Sequence, residues 1–229
     1  RLIGSGTWPG VLAKAAAHVA SPQIRNQGTL GGNVCQDARC WYYRSGLDCY
    51  RAGGNTGYAD TPQGMNRAHC LFGAERCIAV SPSDTATALV ALDASFVVAS
   101  AKGERVVPAD QFFIGPAIDI RRMTRLEPGD ILTAIRLPKT FAGAHFYFEK
   151  VADRNTWDFA LVNIAAALLV AGDVIQDIRV VCGAVECVPR RLTGVEELAR
   201  GSVRNAETAN LAASVAARGA VPLNYNGFK

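Results

Sequence analysis

The sequence predicts an α+β fold, and three features of the 229-residue chain support this class. Strong helix formers run from Val11 to Ala20 and stop before Ser21-Pro22, which is typical of a helix that a proline ends. Ser83, followed by Asp84 and an apolar stretch, predicts a second helix with an N-terminal cap. After this helix, apolar and polar residues alternate in short stretches separated by turn dipeptides, which indicates strands joined by hairpins.

The later elements follow in order along the chain. Phe96 to Ser100 and Arg105 to Pro108 flank Lys102-Gly103 and predict a hairpin, and Ile131 to Leu137 alternates as a strand. Beyond Lys139 the pattern predicts two strands, His145 to Val151 and Ile175 to Val181, on either side of a long apolar stretch from Leu161 to Val170. Two helices are predicted after them, Leu192 to Arg200 and Arg204 to Arg218. Periodicity alone leaves the apolar stretch undecided between helix and strand.

Composition excludes several classes of protein. The chain is 49% hydrophobic and 19% charged, which is sufficient for a buried core in one large or two smaller domains. A net charge of +4 is spread without a basic block, so nothing favours binding to nucleic acid. The longest apolar run, Ala160 to Gly172, is interrupted by Asn163 and is too short for a membrane span. The first residues, R-L-I-G-S-G-T, show no signal peptide.

A glycine-rich block, I-R-N-Q-G-T-L-G-G-N, runs from Ile24 to Asn33. Gly31 and Gly32 have no side chain in the way, so successive backbone N–H groups can approach an anionic ligand closely. Thr29 and Asn33 offer short hydrogen-bonding side chains, and Asp84 can accept a hydrogen bond from a hydroxyl. The block therefore predicts an anion site, although a Gly-Gly pair is also typical of a tight turn between a loop and a strand.

The cysteines are clustered rather than distributed among the elements. Five of the seven lie between Ile24 and Asp84, which fits metal or cluster ligation in a reducing compartment better than a disulfide framework. Four of them supply the thiolates that a tetrahedral zinc ion or an iron–sulfur cluster requires, and these are Cys40, Cys49, Cys70 and Cys77.

Several blocks carry a family resemblance. I-R-N-Q-G-T-L-G-G-N, R-C-W-Y-Y-R, C-Y-R-A-G-G and C-I-A-V-S-P-S-D-T-A-T-A-L-V-A-L-D-A resemble the FAD-binding medium subunit of molybdenum hydroxylases. This is the family of xanthine dehydrogenase, carbon monoxide dehydrogenase, periplasmic aldehyde oxidoreductase and 4-hydroxybenzoyl-CoA reductase. The resemblance implies that Thr29, Leu30, Gly31, Gly32 and Asn33 lie against the pyrophosphate and ribityl chain of FAD. It also implies that Ser83 and Asp84 lie near the flavin.

The resemblance implies two domains. Residues 1–138 are expected to form the FAD-binding domain and residues 139–229 a small α+β domain with a three-stranded antiparallel sheet, which favours a strand for Leu161 to Val170. Lys150 to Ala160 and Val181 to Arg191 resemble segments that approach the flavin. Arg154 and Asp158 suit a polar edge there, although a surface salt bridge explains them equally well.

Relatives begin with a further glycine-rich FAD loop that is not seen before Ser21. Either a segment is missing from the chain as given or FAD is bound unusually, and we favour the first.

Residues 36–78, here called the cysteine segment, resemble an insertion that carries an additional 4Fe–4S cluster in some relatives. Gly57 stands where these relatives usually have a third cysteine, and Cys70 is an extra thiol. Either Cys70 completes the ligand set with Cys40, Cys49 and Cys77, or the cluster is absent. Cys35 is predicted to be a small buried residue beside the glycines and is a possible substitute ligand, while Cys182 and Cys187 are predicted to be packing residues away from the cluster.

The predicted function is electron transfer within a molybdenum hydroxylase. The resemblance implies a molybdopterin-binding large subunit and a 2Fe–2S small subunit as partners, in a heterotrimer or a dimer of heterotrimers. No catalytic residue is expected in this chain, because substrate chemistry belongs to the large subunit. A cytoplasmic location is expected, and export to the periplasm with the partners stays open. The alternative is a non-enzymatic interaction module in which zinc holds the four cysteines.

Overall fold

The computed structural model describes residues 10–229, and the sequence R-L-I-G-S-G-T considered for a signal peptide lies outside them. The helices are α1 (Gly10–Ala17), α2 (Pro22–Gln27), α3 (Leu30–Val34), α4 (Trp41–Arg44), α5 (Asp84–Ala91), α6 (Ala109–Phe112), α7 (Thr193–Ala199) and α8 (Ala206–Ala216). The strands are β1 (Ser95–Ser100), β2 (Gly103–Pro108), β3 (Ile131–Arg136), β4 (His145–Val151), β5 (Val162–Ala171), β6 (Val174–Gly183) and β7 (Arg190–Arg191). The α+β class is confirmed.

The strands form two antiparallel sheets. The first has the order β2-β1-β3, and the predicted hairpin closes at the Ser100↔Gly103 pair. The second has the order β4-β5-β6-β7, so it contains one more strand than the three that were predicted. The extra strand is only two residues long and pairs with Val181 and Cys182 at the end of β6. The long apolar stretch is β5, in agreement with the choice of strand.

The segment before the glycine-rich block differs from its prediction. Helix α1 ends at Ala17, and Ser21-Pro22 begins α2 instead of only ending α1. Ser21 is the N-cap of α2, its side chain accepts a hydrogen bond from the Ile24 amide, and Pro22 takes the first helical position, where its missing N–H costs nothing. Serine followed by proline therefore acts here as a start signal for a helix.

Helix α5 lies at the centre of the molecule, and all eight of its residues are buried. It contacts β5 and β6 of the second sheet and helices α1, α3 and α6. One apolar cluster contains Leu89 of α5 and Phe96 of the first sheet together with Phe148 and Val181 of the second sheet. The core is therefore continuous across the predicted boundary at residues 138 and 139, which falls between β3 and β4.

No helix within residues 10–229 is long and apolar enough to cross a membrane.

Candidate functional site

The end of the glycine-rich block, including Gly31 and Gly32, forms a short helix, α3, rather than a tight turn between a loop and a strand. Thr29 is its N-cap, and the Thr29 hydroxyl oxygen accepts a hydrogen bond of 2.9 Å from the Gly32 amide. Thr29 and Gly32 are exposed. A Cβ added at Gly32 would lie 3.1 Å from the Thr29 hydroxyl oxygen, so a larger residue would press on the cap and cover the exposed backbone.

The block is joined to the second predicted block at the start of α5. The Asn33 side-chain oxygen accepts hydrogen bonds from the Ser83 hydroxyl, at 2.7 Å, and from the Thr85 hydroxyl. Ser83 is also the N-cap of α5 and accepts from the Ala86 amide at 3.1 Å. Two blocks that are fifty residues apart in the sequence are thus fixed beside each other through Asn33.

Asp84 is buried, and its carboxylate has two partners within the protein. Its oxygens accept hydrogen bonds from the Lys150 ammonium at 2.7 Å and from the Asn163 amide nitrogen at 2.8 Å. Burial raises the pKa of the Asp84 carboxyl, although the Lys150 charge and both hydrogen bonds oppose this shift. Asp84 therefore links α5 to β4 and β5. Its predicted contact with a cofactor hydroxyl stays a prediction.

The segment from residue 152 to 160 packs next to α2. The Trp157 amide donates to the Ala20 carbonyl at 2.9 Å, which anchors this loop beside the start of α2. The Arg154 amide donates to the Asp158 carboxylate at 3.1 Å, and the Arg154 guanidinium donates to the Trp157 carbonyl at 3.1 Å. Arg154 and Asp158 thus stabilise the loop itself, and the Trp157 side chain stays 66% exposed beside it.

The cysteine segment gathers its thiols around a small cavity. The cavity has a volume of about 50 Å³ and is lined by Cys40, Cys49, Cys77 and Gly57, among other residues. Cys70 does not line this cavity, but it is buried in the same apolar cluster as Cys40. Cys35 packs against the main core instead, as predicted. A separate and more open cavity of about 620 Å³, lined by Asp60, Asn66 and Tyr225 among others, contains no thiol.

Two glycines shape the turn that presents Cys49. Gly53 has a left-handed backbone with φ of 103°, and the Cys49 carbonyl accepts hydrogen bonds of 2.9 Å from the amides of Ala52 and Gly54. A Cβ at Gly54 would lie 2.1 Å from the Asp48 carbonyl oxygen, so only glycine fits there. The C-Y-R-A-G-G block is thereby explained as a compact turn.

Sequence reasoning missed Arg51, which borders the same cavity. Its side chain is 1% exposed and forms an ion pair of 2.6 Å with Asp37. Its guanidinium also donates to the Ile120 carbonyl at 2.8 Å, whereas its Nε is buried and has no hydrogen-bond partner. A buried cation with a free N–H at a cavity wall favours an anionic occupant.

Cys187 was also missed as a neighbour of these thiols: it is a packing residue, as predicted, but its place away from the cysteine segment was wrong. It is 2% exposed and packs in the same apolar cluster as Cys40, Cys70 and Cys77. The neighbouring Cys187 thiol lowers the pKa of the Cys77 thiol, with help from the Ala79 amide and the Arg51 charge and against the opposing effect of burial. Burial raises the pKa of Cys70 to about 12. Cys182 packs in different apolar clusters, as predicted.

The thiols do not form a site for a single metal ion within the described residues. Within residues 10–229, no three side chains of His, Cys, Asp or Glu converge closely enough to hold one metal ion. A zinc ion would need four ligands at about 2.0 to 2.3 Å from one point.

Comparison with known proteins identifies the class of protein to which this fold and site belong. Residues 7–140 match the family described as the FAD binding domain in molybdopterin dehydrogenase, and residues 147–227 match the CO dehydrogenase flavoprotein C-terminal domain. The chain belongs to the family of FAD-binding subunits of molybdopterin dehydrogenases.

Individual relatives and solved structures agree with this assignment. The chain is 35% identical to the aldehyde oxidoreductase FAD-binding subunit PaoB of Escherichia coli, over 84% of this chain and 60% of the relative. It is 27% identical to the carbon monoxide dehydrogenase medium chain of Hydrogenophaga pseudoflava, over 90% of this chain and 55% of the relative. Quinoline 2-oxidoreductase of Pseudomonas putida superimposes with a TM-score of 0.63 at 28% identity, covering 93% of this chain and 57% of the other. The chain thus spans little more than half the length of these relatives.

Proposed function

We propose that the chain is the electron-transfer flavoprotein subunit of a molybdenum hydroxylase-type oxidoreductase. The observation that carries this proposal is the Asn33 link, which fixes the α3 block beside the start of α5 within a matched FAD-binding domain. Thr29, Leu30, Gly31, Gly32 and Asn33 would hold the phosphates and ribityl chain of FAD, with Ser83 near the flavin. When bound, FAD supplies reversible uptake and release of one or two electrons.

The residues of this chain would bind and orient the cofactor rather than react with substrate. Exposed Gly32 offers backbone that a ligand can approach, and the Thr29 cap holds the α3 amides in place. Asp84 and Lys150 keep the C-terminal part fixed against α5, so that the loop with Arg154, Trp157 and Asp158 stays beside the glycine-rich block. No nucleophile or acid–base pair is required for this role.

The proposed assembly contains two further subunits. Relatives carry the names medium chain and FAD-binding subunit, which implies a complex with other chains. We propose a molybdopterin-binding large subunit and a 2Fe–2S small subunit as partners, in a heterotrimer or a dimer of heterotrimers. All seven cysteines are free thiols, which fits a cytoplasmic complex, or one that folds there before export.

The cavity of the cysteine segment is proposed to hold a 4Fe–4S cluster. Cys40, Cys49 and Cys77 line it, and Arg51 places a buried positive charge at its wall. A fourth thiolate is needed, for which the sequence predicts Cys70. The cluster would extend the electron path between the partner's 2Fe–2S centres and FAD.

The flavin assignment is tested with Gly32→Val in the purified complex. We expect this variant to lose most of its FAD, because the added side chain covers exposed backbone and presses on the Thr29 cap. Gly10→Val is the control, since a Cβ at Gly10 meets nothing within 4 Å. Flavin is released by denaturation and measured per chain. Full FAD in Gly32→Val would contradict the assignment of the α3 block.

A further inference from the structure

We propose that Cys187, from the loop after β6, is the fourth thiolate of the site formed by Cys40, Cys49 and Cys77. The cluster would then be held jointly by the cysteine segment and the C-terminal part of the chain. This inference rests on the proposed function in one respect, namely that a cluster is bound.

The path of the backbone explains how Cys187 reaches the thiols. The Val185 carbonyl accepts hydrogen bonds from the amides of Leu71, at 2.8 Å, and Phe72, at 3.1 Å. The next carbonyl, that of Glu186, accepts from the Ser81 amide at 3.1 Å. Leu71 and Phe72 before Cys77, and Ser81 after it, thus hold the loop by backbone hydrogen bonds, and Cys187 is buried in the same apolar cluster as Cys40 and Cys77.

The surroundings of Arg51 support the same set of thiols. Its guanidinium borders the cavity and lies close to both Cys187 and Cys77, while its Nε stays buried without a partner. A cluster with four thiolates is an anion, so it would supply the acceptor that this N–H lacks. The buried cation would also offset the cost of burying the negative charge.

Cys70 is placed less well for this role. Its amide is bound to the Ile78 carbonyl at 3.0 Å, and its carbonyl accepts from the Asn226 amide nitrogen at 2.9 Å. Neither Cys70 nor Cys187 lines the cavity, but Cys70 also lies close to Lys229, at the tail that covers the cysteine segment. Cys70 is therefore tied to the C-terminal tail through its carbonyl, whereas Cys187 has Arg51 among its charged neighbours.

The test compares Cys187→Ser, Cys70→Ser and Cys182→Ser in the purified complex. Cys182 is the matched control, because it lies in the same part of the chain but packs in other apolar clusters. Iron and FAD are measured per complex, and low-temperature paramagnetic resonance of the reduced protein detects the cluster. We expect Cys187→Ser alone to lose the 4Fe–4S signal and about four iron atoms, with FAD retained.

A rescue variant separates ligation from packing. Gly57 lines the cavity, and a Cβ there would lie 3.3 Å from a ring carbon of exposed Tyr50 and 3.7 Å from the Asp60 Cβ, so a thiol can be accommodated. We expect Gly57→Cys to restore iron and signal in Cys187→Ser. A lost signal without rescue indicates that Cys187 only packs, and it overturns the inference.

The remaining outcomes are equally decisive. Full iron and signal in Cys187→Ser, or loss in Cys70→Ser with Cys187→Ser intact, overturns the inference. A native complex that contains FAD but no 4Fe–4S signal also overturns it and leaves the flavoprotein function standing. A native complex without FAD contradicts the proposed function itself.

Discussion

At the scale of single residues, charge and hydrogen bonding at Asp84 hold the N-terminal and C-terminal parts together. The Asp84 and Lys150 side chains are each 5% exposed, and their ion pair joins α5 to β4. Lys150 also donates to the carbonyls of His18 and Asp158, at 2.9 and 2.6 Å. The sequence shows Asp84 after a capping serine, but its partners lie 66 and 79 residues away, so only the fold reveals them.

We expect Lys150→Met to destabilise the protein by about 3–5 kcal/mol, because it leaves the Asp84 carboxylate buried without its cation. The loss should shrink as the pH falls, since burial already raises the Asp84 pKa and a protonated carboxyl needs no cation. Chemical unfolding at several pH values measures both effects.

The control for this prediction is Asp153→Asn. Asp153 pairs with Arg67, and both side chains are about half exposed (54% and 48%). Its loss should cost at most about 1 kcal/mol. Equal costs for Lys150→Met and Asp153→Asn would mean that the buried pair is not the link described here.

At the scale of elements, local signals in the sequence predict regular structure well and tertiary contacts poorly. The hairpin around Lys102-Gly103, strands β3, β4 and β6 and helices α7 and α8 follow from alternation, turn chemistry and apolar spacing, whereas β5 was assigned as a strand only through the family resemblance. Helix α3 was not predicted, because two glycines disfavour a helix and its Thr29 cap was not recognised. Cys187 was placed away from the thiols, because the loop between β6 and β7 reaches them only through backbone contacts with Leu71, Phe72 and Ser81.

The turn that presents Cys49 allows a test at this scale. We expect Gly54→Ala to distort the turn, because its Cβ would lie 2.1 Å from the Asp48 carbonyl oxygen. Cys49 is 8% exposed in the native protein and should react faster with a thiol reagent in the variant. Gly57→Ala is the control, since its nearest new contact, at 3.3 Å, is to the ring of Tyr50, which is 46% exposed and can shift. Thiol labelling read by mass spectrometry would refute this account if both variants label Cys49 at the native rate.

At the scale of the whole molecule, the predicted division at residues 138 and 139 does not divide the core. Leu89 and Phe96 before the boundary share one apolar cluster with Phe148, Ala165 and Val181 after it. Leu71 and Phe72 of the cysteine segment, and Ser81 just after it, add further contacts to the C-terminal part. Sequence patterns mark elements and turns, so they locate the boundary between two sheets but not the packing of one sheet against the other.

The shared core predicts that the two parts unfold together. Phe148 is fully buried, and Phe148→Ala should cost about 3–5 kcal/mol through lost burial and the cavity left behind. Phe148 packs in the same cluster as Leu89 and Phe96. In Phe148→Ala, the slowly exchanging amide hydrogens of α5, β1 and β5 should therefore all exchange faster than in the native protein, by a similar factor. Val106→Ala, at a site 51% exposed, should change exchange little. Hydrogen exchange read by mass spectrometry decides the matter, since acceleration confined to peptides after residue 139 would show two independent cores.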